Sequence, residues 1–196
     1  MRMKYVWIVS ALCLMAAHAR SADIAAGDAR AETCRGCHGA QGISVIPNIP
    51  SLAGQKDSFL QWQLVFFRSG RRENPIMGPM SADLSDEDIR NLGAYFASLS
   101  PPEPAPAPAE TDPALRRAGE TIAEQHRCAS CHTDNFGGNR AAPAIAHQQR
   151  EYLVKALTDY RSSARPSVGV AAMTEAASGL SDSDIEALAL FLAVYP

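Results

Sequence analysis

Apolar residues near the end of each half of the chain recur at the spacing of a helix that buries one face. They are Ile89, Leu92, Phe96 and Leu99 in the first half and Ile185, Leu188, Ala189 and Leu192 in the second. Just before each stripe stands a serine with an aspartate three positions later, Ser85 with Asp88 and Ser181 with Asp184. This is an acidic variant of the helix capping box, so the pattern predicts a capped terminal helix in both halves.

Weaker helical patterns fill the rest of both halves. We expect a short helix over Ala25–Glu32 and another that begins after Asp112-Pro113, where an N-cap residue precedes a proline at the first helical position. Middle helices are expected over Asp57–Arg68 and Arg150–Arg161. Since no segment alternates convincingly between apolar and polar residues as a strand does, the fold is predicted to be all-α.

The two halves also share their sequence pattern, which indicates an internal duplication. Pro50-Ser51-Leu52-Ala53-Gly54-Gln55 aligns with Pro143-Ala144-Ile145-Ala146-His147-Gln148, and the capped terminal helices align in turn. Prolines crowd the segment between the halves, which we expect to be an extended, semi-rigid connector. The expected organisation is a domain over residues 20–100, a Pro-rich linker over residues 101–111 and a second domain over residues 112–196.

The start of the chain has the features of an export signal. Two basic residues, Arg2 and Lys4, precede an apolar stretch that ends at Ala17-His18-Ala19, a small-x-small cleavage pattern. That stretch is shorter than the about 20 residues of a comfortable membrane span. We therefore predict a signal peptide over residues 1–19 and a periplasmic product without an integral membrane span; an uncleaved anchor is the alternative.

The charge of the chain bears on its partners. The formal net charge is −3, and loss of residues 1–19 removes Arg2 and Lys4 but no acid, which leaves −5. An acidic protein is a poor match for nucleic acid. A protein partner with a basic docking patch fits this charge better.

Both halves carry the same short cysteine motif, Cys34-Arg35-Gly36-Cys37-His38 in the first and Cys128-Ala129-Ser130-Cys131-His132 in the second. The two thiols of such a motif bond the vinyl groups of one haem, and the adjoining histidine ligates its iron. A zinc site would need paired motifs roughly 15–20 residues apart, and a thioredoxin-like motif would need a strand-helix context. The motifs therefore predict two covalently bound haem c groups, attached through Cys34, Cys37, Cys128 and Cys131 and ligated by His38 and His132.

The second axial ligand of each iron is predicted from the repeat. Met77 and Met173 each lie seven residues before the leucine that precedes the terminal helix cap, and a thioether favours reduced iron. Met80 has no methionine counterpart in the second half and is expected to pack against haem. His147 is the alternative ligand for the second haem, whereas His126 is expected to point away.

Two further groups of residues are candidates for supporting roles. The backbone carbonyl at Pro50 or Pro143 is expected to accept the Nδ1 hydrogen of the axial histidine and so to increase its donor strength. The candidates to pair with haem propionates are four arginines, Arg68, Arg72, Arg161 and Arg165. Their position on a solvated helix face would explain them nearly as well.

These motifs resemble those of a known family, the dihaem class I cytochromes c of bacterial periplasms, of the type called c-four. The similarity covers nearly all of the chain after the export signal. Beyond the CxxCH motifs and Met77, it runs through Pro50-x-Leu52-x-Gly54-Gln55, Phe59-Leu60, Arg68-x-Gly70-x-Arg72 and Leu84-Ser85-Asp86 leading into Tyr95-Phe96.

The resemblance implies two tandem class I cytochrome c domains with His-Met ligation and crossed terminal helices. In these crossings Gly27 would meet the Tyr95 region and Gly119 would meet Phe191. Two features depart from the family pattern. His147 replaces the glycine of the first repeat, which bears on the shape of the second haem edge, and the Pro-rich connector bears on the haem-to-haem geometry.

The resemblance also implies an electron carrier that catalyses no bond chemistry by itself. The expected partners are transient redox proteins, namely a cytochrome oxidase, a cytochrome bc complex or a periplasmic dehydrogenase, with peripheral membrane association allowed. The alternative is an enzyme, or the haem subunit of one, in which one haem has an open face. His147 is then the only obvious acid-base candidate.

Overall fold

The structure, a computed structural model, describes residues 21–105, 113–165 and 172–196. The expected signal peptide over residues 1–19 lies outside these ranges. Within them we find ten helices and no strand, which confirms the all-α prediction. In chain order the helices are α1 Ile24–Arg30, α2 Glu32–His38, α3 Asp57–Arg68, α4 Met77–Ala82, α5 Asp86–Ser98, α6 Pro113–Gln125, α7 Ala129–His132, α8 Arg150–Arg161, α9 Ala172–Ser178 and α10 Asp182–Ala193.

Local sequence signals account for several of the helices and for the start of the last helix in each half. The middle helices α3 and α8 have the predicted bounds. Both capping boxes are present: the Ser85 hydroxyl accepts from the Asp88 N–H at 3.0 Å, and the Asp88 carboxylate accepts from the Ser85 N–H at 2.9 Å. Ser181 and Asp184 form the same reciprocal pair at 3.2 and 2.9 Å.

The first helix differs from its prediction because the chain turns at Ala31. The expected helix over Ala25–Glu32 is divided: α1 ends at Arg30 and α2 begins at Glu32. Ala31 between them is fully buried, so contacts with the core override the local helical preference. As a result, the first cysteine motif lies on a helix of its own.

The first and last helices of each half cross at a glycine. A Cβ atom added to Gly27 would lie 2.8 Å from the Cβ of Tyr95 on α5, and one added to Gly119 would lie 2.7 Å from the Cβ of Phe191 on α10. Real carbon atoms do not approach so closely, so only glycine permits these crossings. The crossings that the family resemblance implied are therefore present.

Each half has its own hydrophobic core, and each core reaches the cysteine motif. Cys34 packs against the first core and Cys128 against the second. The buried apolar side chains at the centre of the two cores are Leu60, Leu84, Ile89, Leu92 and Phe96 in the first and Leu153, Leu180, Ile185, Leu188 and Phe191 in the second. The family resemblance and these cores agree on two domains, while the exact limits at residues 100 and 112 stay a prediction.

The two halves contact each other directly. The side chains of Gln55 and Gln148 each reach the backbone of the other half, and the Ser58 hydroxyl donates to the Arg140 carbonyl at 2.8 Å. Residues 101–105 of the connector have no regular secondary structure. The Ala105 N–H donates to the carbonyl oxygen of Ala193, the last residue of α10, at 3.3 Å. The placement of the halves thus depends on contacts between them as well as on the connector.

No helix in the described ranges is long and apolar enough to cross a lipid bilayer.

Candidate functional site

Both cysteine motifs lie on short helices beside the cores. Cys34 and Cys37 belong to α2, while Cys128 caps α7 and Cys131 lies within it. In each motif the first thiol is half-buried and the second is exposed, and all four are free. Because cysteines three residues apart on a helix project from the same side, each pair can bond one porphyrin at two points.

The environment of the first thiol in each motif disfavours a reactive thiolate. Burial raises the pKa of the Cys34 and Cys128 thiols above the usual cysteine value. A redox-active or metal-binding cysteine needs the opposite shift, since the thiolate is the reactive form. The sites therefore fit thioether attachment better than thiol redox chemistry.

The two motif histidines are buried and held in one orientation. His38 Nδ1 lies 2.8 Å from the Pro50 carbonyl oxygen, and His132 Nδ1 lies 2.9 Å from the Pro143 carbonyl oxygen. A carbonyl oxygen only accepts, so Nδ1 carries the hydrogen and Nε2 keeps a free lone pair. Burial lowers the pKa of both imidazoles, which keeps them neutral at pH 7. The geometry expected for an axial histidine is thus present in both halves.

The two candidate methionine ligands occupy corresponding places. Met77 is the first residue of α4, and its N–H donates to the Asn74 side-chain oxygen at 2.8 Å. Met173 lies near the start of α9 and packs against the second core. Met80, further along α4, is 44% exposed. Ligation by Met77 and Met173, and packing of Met80 against haem, stay predictions.

The alternative ligand His147 is engaged elsewhere. Its Nδ1 lies 3.0 Å from the Pro102 carbonyl oxygen and its Nε2 lies 3.0 Å from the Tyr195 carbonyl oxygen. With both ring nitrogens at carbonyl oxygens, neither is free to bind iron. The backbone of His147 keeps the left-handed conformation of Gly54, with φ of 59° against 69°, so this departure from the family pattern preserves the local path of the chain. His126 Nδ1 faces the Ala176 carbonyl oxygen at 3.2 Å, also outside the site.

Two of the four candidate arginines, Arg68 and Arg161, bind the start of the terminal helix of their half. Each guanidinium binds a leucine carbonyl before the terminal helix and an aspartate at the start of that helix. Arg68 binds Leu84 and Asp86 at 2.6 Å each, and Arg161 binds Leu180 and Asp182 at 2.9 and 2.6 Å. These bonds hold each guanidinium at the start of the terminal helix, and pairing of Arg68 and Arg161 with haem propionates stays a prediction.

The other two arginines meet where the halves touch. Arg72 donates to the Gln63 side-chain oxygen at 2.6 Å and lies 3.5 Å from the Tyr152 hydroxyl; Arg165 lies 3.3 Å from both. No ion pair with a carboxylate involves either guanidinium among residues 21–105, 113–165 and 172–196. The pair is therefore a concentrated positive charge that propionates would neutralise.

This positive charge lowers the pKa of the Tyr152 hydroxyl. Burial by itself would raise the tyrosine pKa, but the guanidiniums of Arg165 and Arg72 outweigh it and lower the pKa to about 8. An anionic group is thus favoured at this place, which supports Arg72 and Arg165 as propionate partners.

These donors suit haem better than a bare metal ion. Nowhere in the part of the chain that the structure describes do three or more His, Cys, Asp or Glu side chains form a group that could hold a metal. Each half instead offers two thiols on one helical side, one neutral imidazole and a candidate thioether from Met77 or Met173. This set fits a covalently attached haem.

Two helical units that each hold a CxxCH motif and a carbonyl-anchored histidine define a protein with two cytochrome c domains. Residues 117–194 match the family described as "Cytochrome c", and residues 22–96 match the one described as "Cytochrome C oxidase, cbb3-type, subunit III". The chain belongs to the dihaem cytochrome c4 family, whose members transfer electrons.

Relatives and a solved structure agree over most of the chain. Cytochrome c4 of Azotobacter vinelandii is 35% identical over 195 residues, with 90% of each chain covered. The crystal structure of reduced recombinant cytochrome c4 from Pseudomonas stutzeri matches with a TM-score of 0.79 at 33% identity and covers 88% of this chain and 98% of that one. The thiosulfate dehydrogenase electron acceptor of Stutzerimonas stutzeri strain A1501 is 31% identical over 172 residues, with 83% of this chain and 79% of the acceptor covered.

Sequence reasoning missed the contact between the halves, including two glutamines at one repeat position and the pair Gln63 and Tyr152. Gln55 and Gln148 occupy the same repeat position, so the repeat held a signal that identified them as a pair. Gln63 and Tyr152 come from different repeat positions, and their meeting depends on how the halves pack.

Proposed function

We propose that the protein is a periplasmic dihaem electron carrier in which each iron has a histidine and a methionine ligand. The observation that carries this proposal is the repetition, in both halves, of a cysteine motif followed by a buried histidine whose Nδ1 is held by a proline carbonyl. Met77 and Met173, at corresponding places, support a closed sixth position.

The residues of each half have separate tasks in this function. A bound haem supplies a one-electron iron couple. Cys34 and Cys37, or Cys128 and Cys131, hold the porphyrin, and the neutral imidazole of His38 or His132 offers Nε2 to the iron. The thioether of Met77 or Met173 would hold the remaining iron position and leave none for a reactant, so the protein would pass an electron without binding a substrate.

The partners follow from charge and from similarity. An acidic carrier is suited to brief contacts with a basic patch on another redox protein, and transient redox contacts usually bury less than about 1,200 Å². The similarity to a thiosulfate dehydrogenase electron acceptor favours a periplasmic dehydrogenase as the donor. A cytochrome bc complex as donor and a cytochrome oxidase as acceptor complete the set of partners that we propose.

The competing function is an enzyme with one open haem. His147, the only acid-base candidate that the sequence offered for it, has both ring nitrogens at backbone carbonyl oxygens. That arrangement supports the carrier.

Carbon monoxide distinguishes the two functions. We expect carbon monoxide not to bind rapidly to the reduced, natively matured protein, because protein ligands would fill both axial positions of each iron. Its visible spectrum should therefore not change when carbon monoxide is added. Met77→Ala should open one iron and bind carbon monoxide at one of the two haems, whereas Met80→Ala should behave like the parent. Rapid, stoichiometric binding by the parent would overturn the carrier proposal.

A further inference from the structure

Two buried glutamines cross the contact between the halves with the same bonding pattern. Gln55 and Gln148 are 7% and 5% exposed and occupy the same position of the repeat. Gln148 accepts from the Ser51 N–H at 2.8 Å and donates to the Ser51 carbonyl oxygen at 2.9 Å. Gln55 accepts from the Ala144 N–H at 3.0 Å and donates to the Ala144 carbonyl oxygen at 2.8 Å.

The peptide group that each glutamine binds is also the one that holds an axial histidine. The Ser51 N–H belongs to the same peptide group as the Pro50 carbonyl, and that carbonyl accepts from His38 Nδ1 at 2.8 Å. In the other half the Ala144 N–H shares a peptide group with the Pro143 carbonyl, which accepts from His132 Nδ1 at 2.9 Å. Two hydrogen bonds therefore separate each glutamine from the histidine of the opposite half.

This arrangement has an electronic consequence. A peptide group is conjugated, so an acceptor at its N–H increases the negative charge on its carbonyl oxygen, and hydrogen bonds in such a chain strengthen one another. A stronger acceptor at Nδ1 makes the imidazole a better donor at Nε2. Greater donation stabilises the oxidised iron and lowers its reduction potential.

We propose that Gln148 is a positioning residue for the haem of the N-terminal half, and Gln55 for the haem of the C-terminal half. Each glutamine polarises and fixes the peptide group that anchors the axial histidine across the interface. The inference rests on the proposed haem ligation by His38 and His132. It makes the potential of each haem depend on the packing of the two halves.

Gln148 has one further bond, which the test must allow for. Its side-chain oxygen also accepts from the Gln149 N–H at 3.0 Å, next to the start of α8. Loss of that bond affects the C-terminal half, whereas loss of the Ser51 bond affects the N-terminal half. The identity of the haem that responds therefore separates the two effects.

The test uses the natively matured dihaem protein with Gln148→Leu or Gln55→Leu. The potential of each haem is followed by the paramagnetically shifted haem methyl resonances during a redox titration. The resonances that change in Met77→Ala are assigned to the N-terminal haem, and those that change in Met173→Ala to the C-terminal haem. We expect Gln148→Leu to raise the potential of the N-terminal haem and Gln55→Leu to raise that of the C-terminal haem, with the other haem shifted much less.

Ser58→Ala is the matched control. It removes a hydrogen bond across the same interface, to the Arg140 carbonyl, without touching either histidine-anchoring peptide. It should leave both potentials unchanged. A larger shift in the haem of the mutated half than in the opposite one, equal shifts of both haems, or no shift would each overturn the inference. If the parent protein lacked a histidine-ligated haem in one half, the proposed function itself would fail. If both haems were present but the potential of the haem opposite the substituted glutamine did not change, only the further inference would fail.

Discussion

The side chains around each axial histidine determine which of its nitrogens can bind. Burial keeps the imidazoles of His38 and His132 neutral, and the proline carbonyls keep the hydrogen on Nδ1. Each imidazole then presents one lone pair in one direction. This preorganisation removes the need to select a tautomer or rotate the ring when iron binds.

A single hydroxyl offers a stability test at the same scale. Ser81 in α4 is fully buried, and its hydroxyl has no hydrogen-bond partner within the described part of the chain; the residue at its repeat position, Ala177, is equally buried. A buried hydroxyl without a partner costs about 1–3 kcal/mol. We expect Ser81→Ala to raise the free energy of unfolding by about 1 kcal/mol in chemical denaturation.

Ser44→Ala is the comparison for this prediction. Ser44 is also buried, but its hydroxyl donates to the Cys37 carbonyl oxygen at 3.0 Å and accepts from the Ile46 N–H at 3.2 Å. Its loss should destabilise the protein by about 1 kcal/mol. A destabilised Ser81→Ala variant would contradict the absence of a partner.

Individual site residues differ in how far the sequence determined them. The thiols and the adjoining histidine were predictable because attachment of one porphyrin fixes their spacing, and the carbonyl at Pro50 or Pro143 because a ligating histidine commonly has such a partner at Nδ1. His147 and Arg68 were open at the sequence level. Their partners, Tyr195 and Leu84, are far away in the sequence, so only tertiary packing could identify them.

At the scale of the helices, glycine crossings and N-terminal caps determine where helices lie and where they begin. The first and last helices of each half approach closely at Gly27 and Gly119, and the last helix of each half starts at a capping box. The caps are local features, and the sequence predicted them and the middle helices well. The division at Ala31 was not predictable, since it depends on burial against the rest of the half.

The glycine crossing gives a prediction at this scale. Gly27→Ala should lower the free energy of unfolding by on the order of 1–3 kcal/mol, because the added methyl group overpacks the contact with Tyr95. Gly78→Ala is the control: Gly78 lies in α4 with nothing within 4 Å of an added Cβ, so alanine should be neutral or stabilising there. Equal effects of the two substitutions would refute the crossing.

The caps give a prediction with a pH dependence. Ser85→Ala should cost about 1 kcal/mol at pH 7. The serine hydrogen bonds hold the pKa of Asp88 below its usual value. A carboxyl whose folded pKa is lowered adds stability above its unfolded pKa of about 3.9, and that stability is lost as pH falls through the lower folded value.

The acid limb of the unfolding curve checks this dependence. Ser85→Ala should cost progressively less as pH falls below about 3.9, because protonated Asp88 accepts these hydrogen bonds poorly. An effect of Ser85→Ala that stayed constant down to pH 2 would contradict the capping account. Since the Asp88 side chain is 33% exposed, solvent screening should keep the change modest.

The whole molecule is two similar units joined through paired contacts. The glutamine pair and the Arg72–Arg165 cluster both lie where the halves meet. The sequence predicted the duplication and the Pro-rich connector, but not these contacts, because a repeat alignment does not show how the repeats pack. The interface thus places groups of both halves next to the expected haem sites.

Charge predicts how the molecule meets its partners. With a net charge of −3, or −5 if residues 1–19 are removed, electron transfer with a basic partner should slow as ionic strength rises, because salt screens the attraction. Stopped-flow reduction by a periplasmic thiosulfate dehydrogenase measures this rate, and an uncharged small reductant is the control. A rate that rises with salt would contradict the proposed docking by opposite charges.

The most direct test of the central claim is the visible spectrum of the oxidised dihaem protein, in the weak sulfur-to-iron band near its red end. If each iron has a histidine and a methionine ligand, Met77→Ala should remove half of this band, Met173→Ala the other half, and the double variant all of it. A parent protein without the band, or either single variant with the band unchanged, would contradict the account.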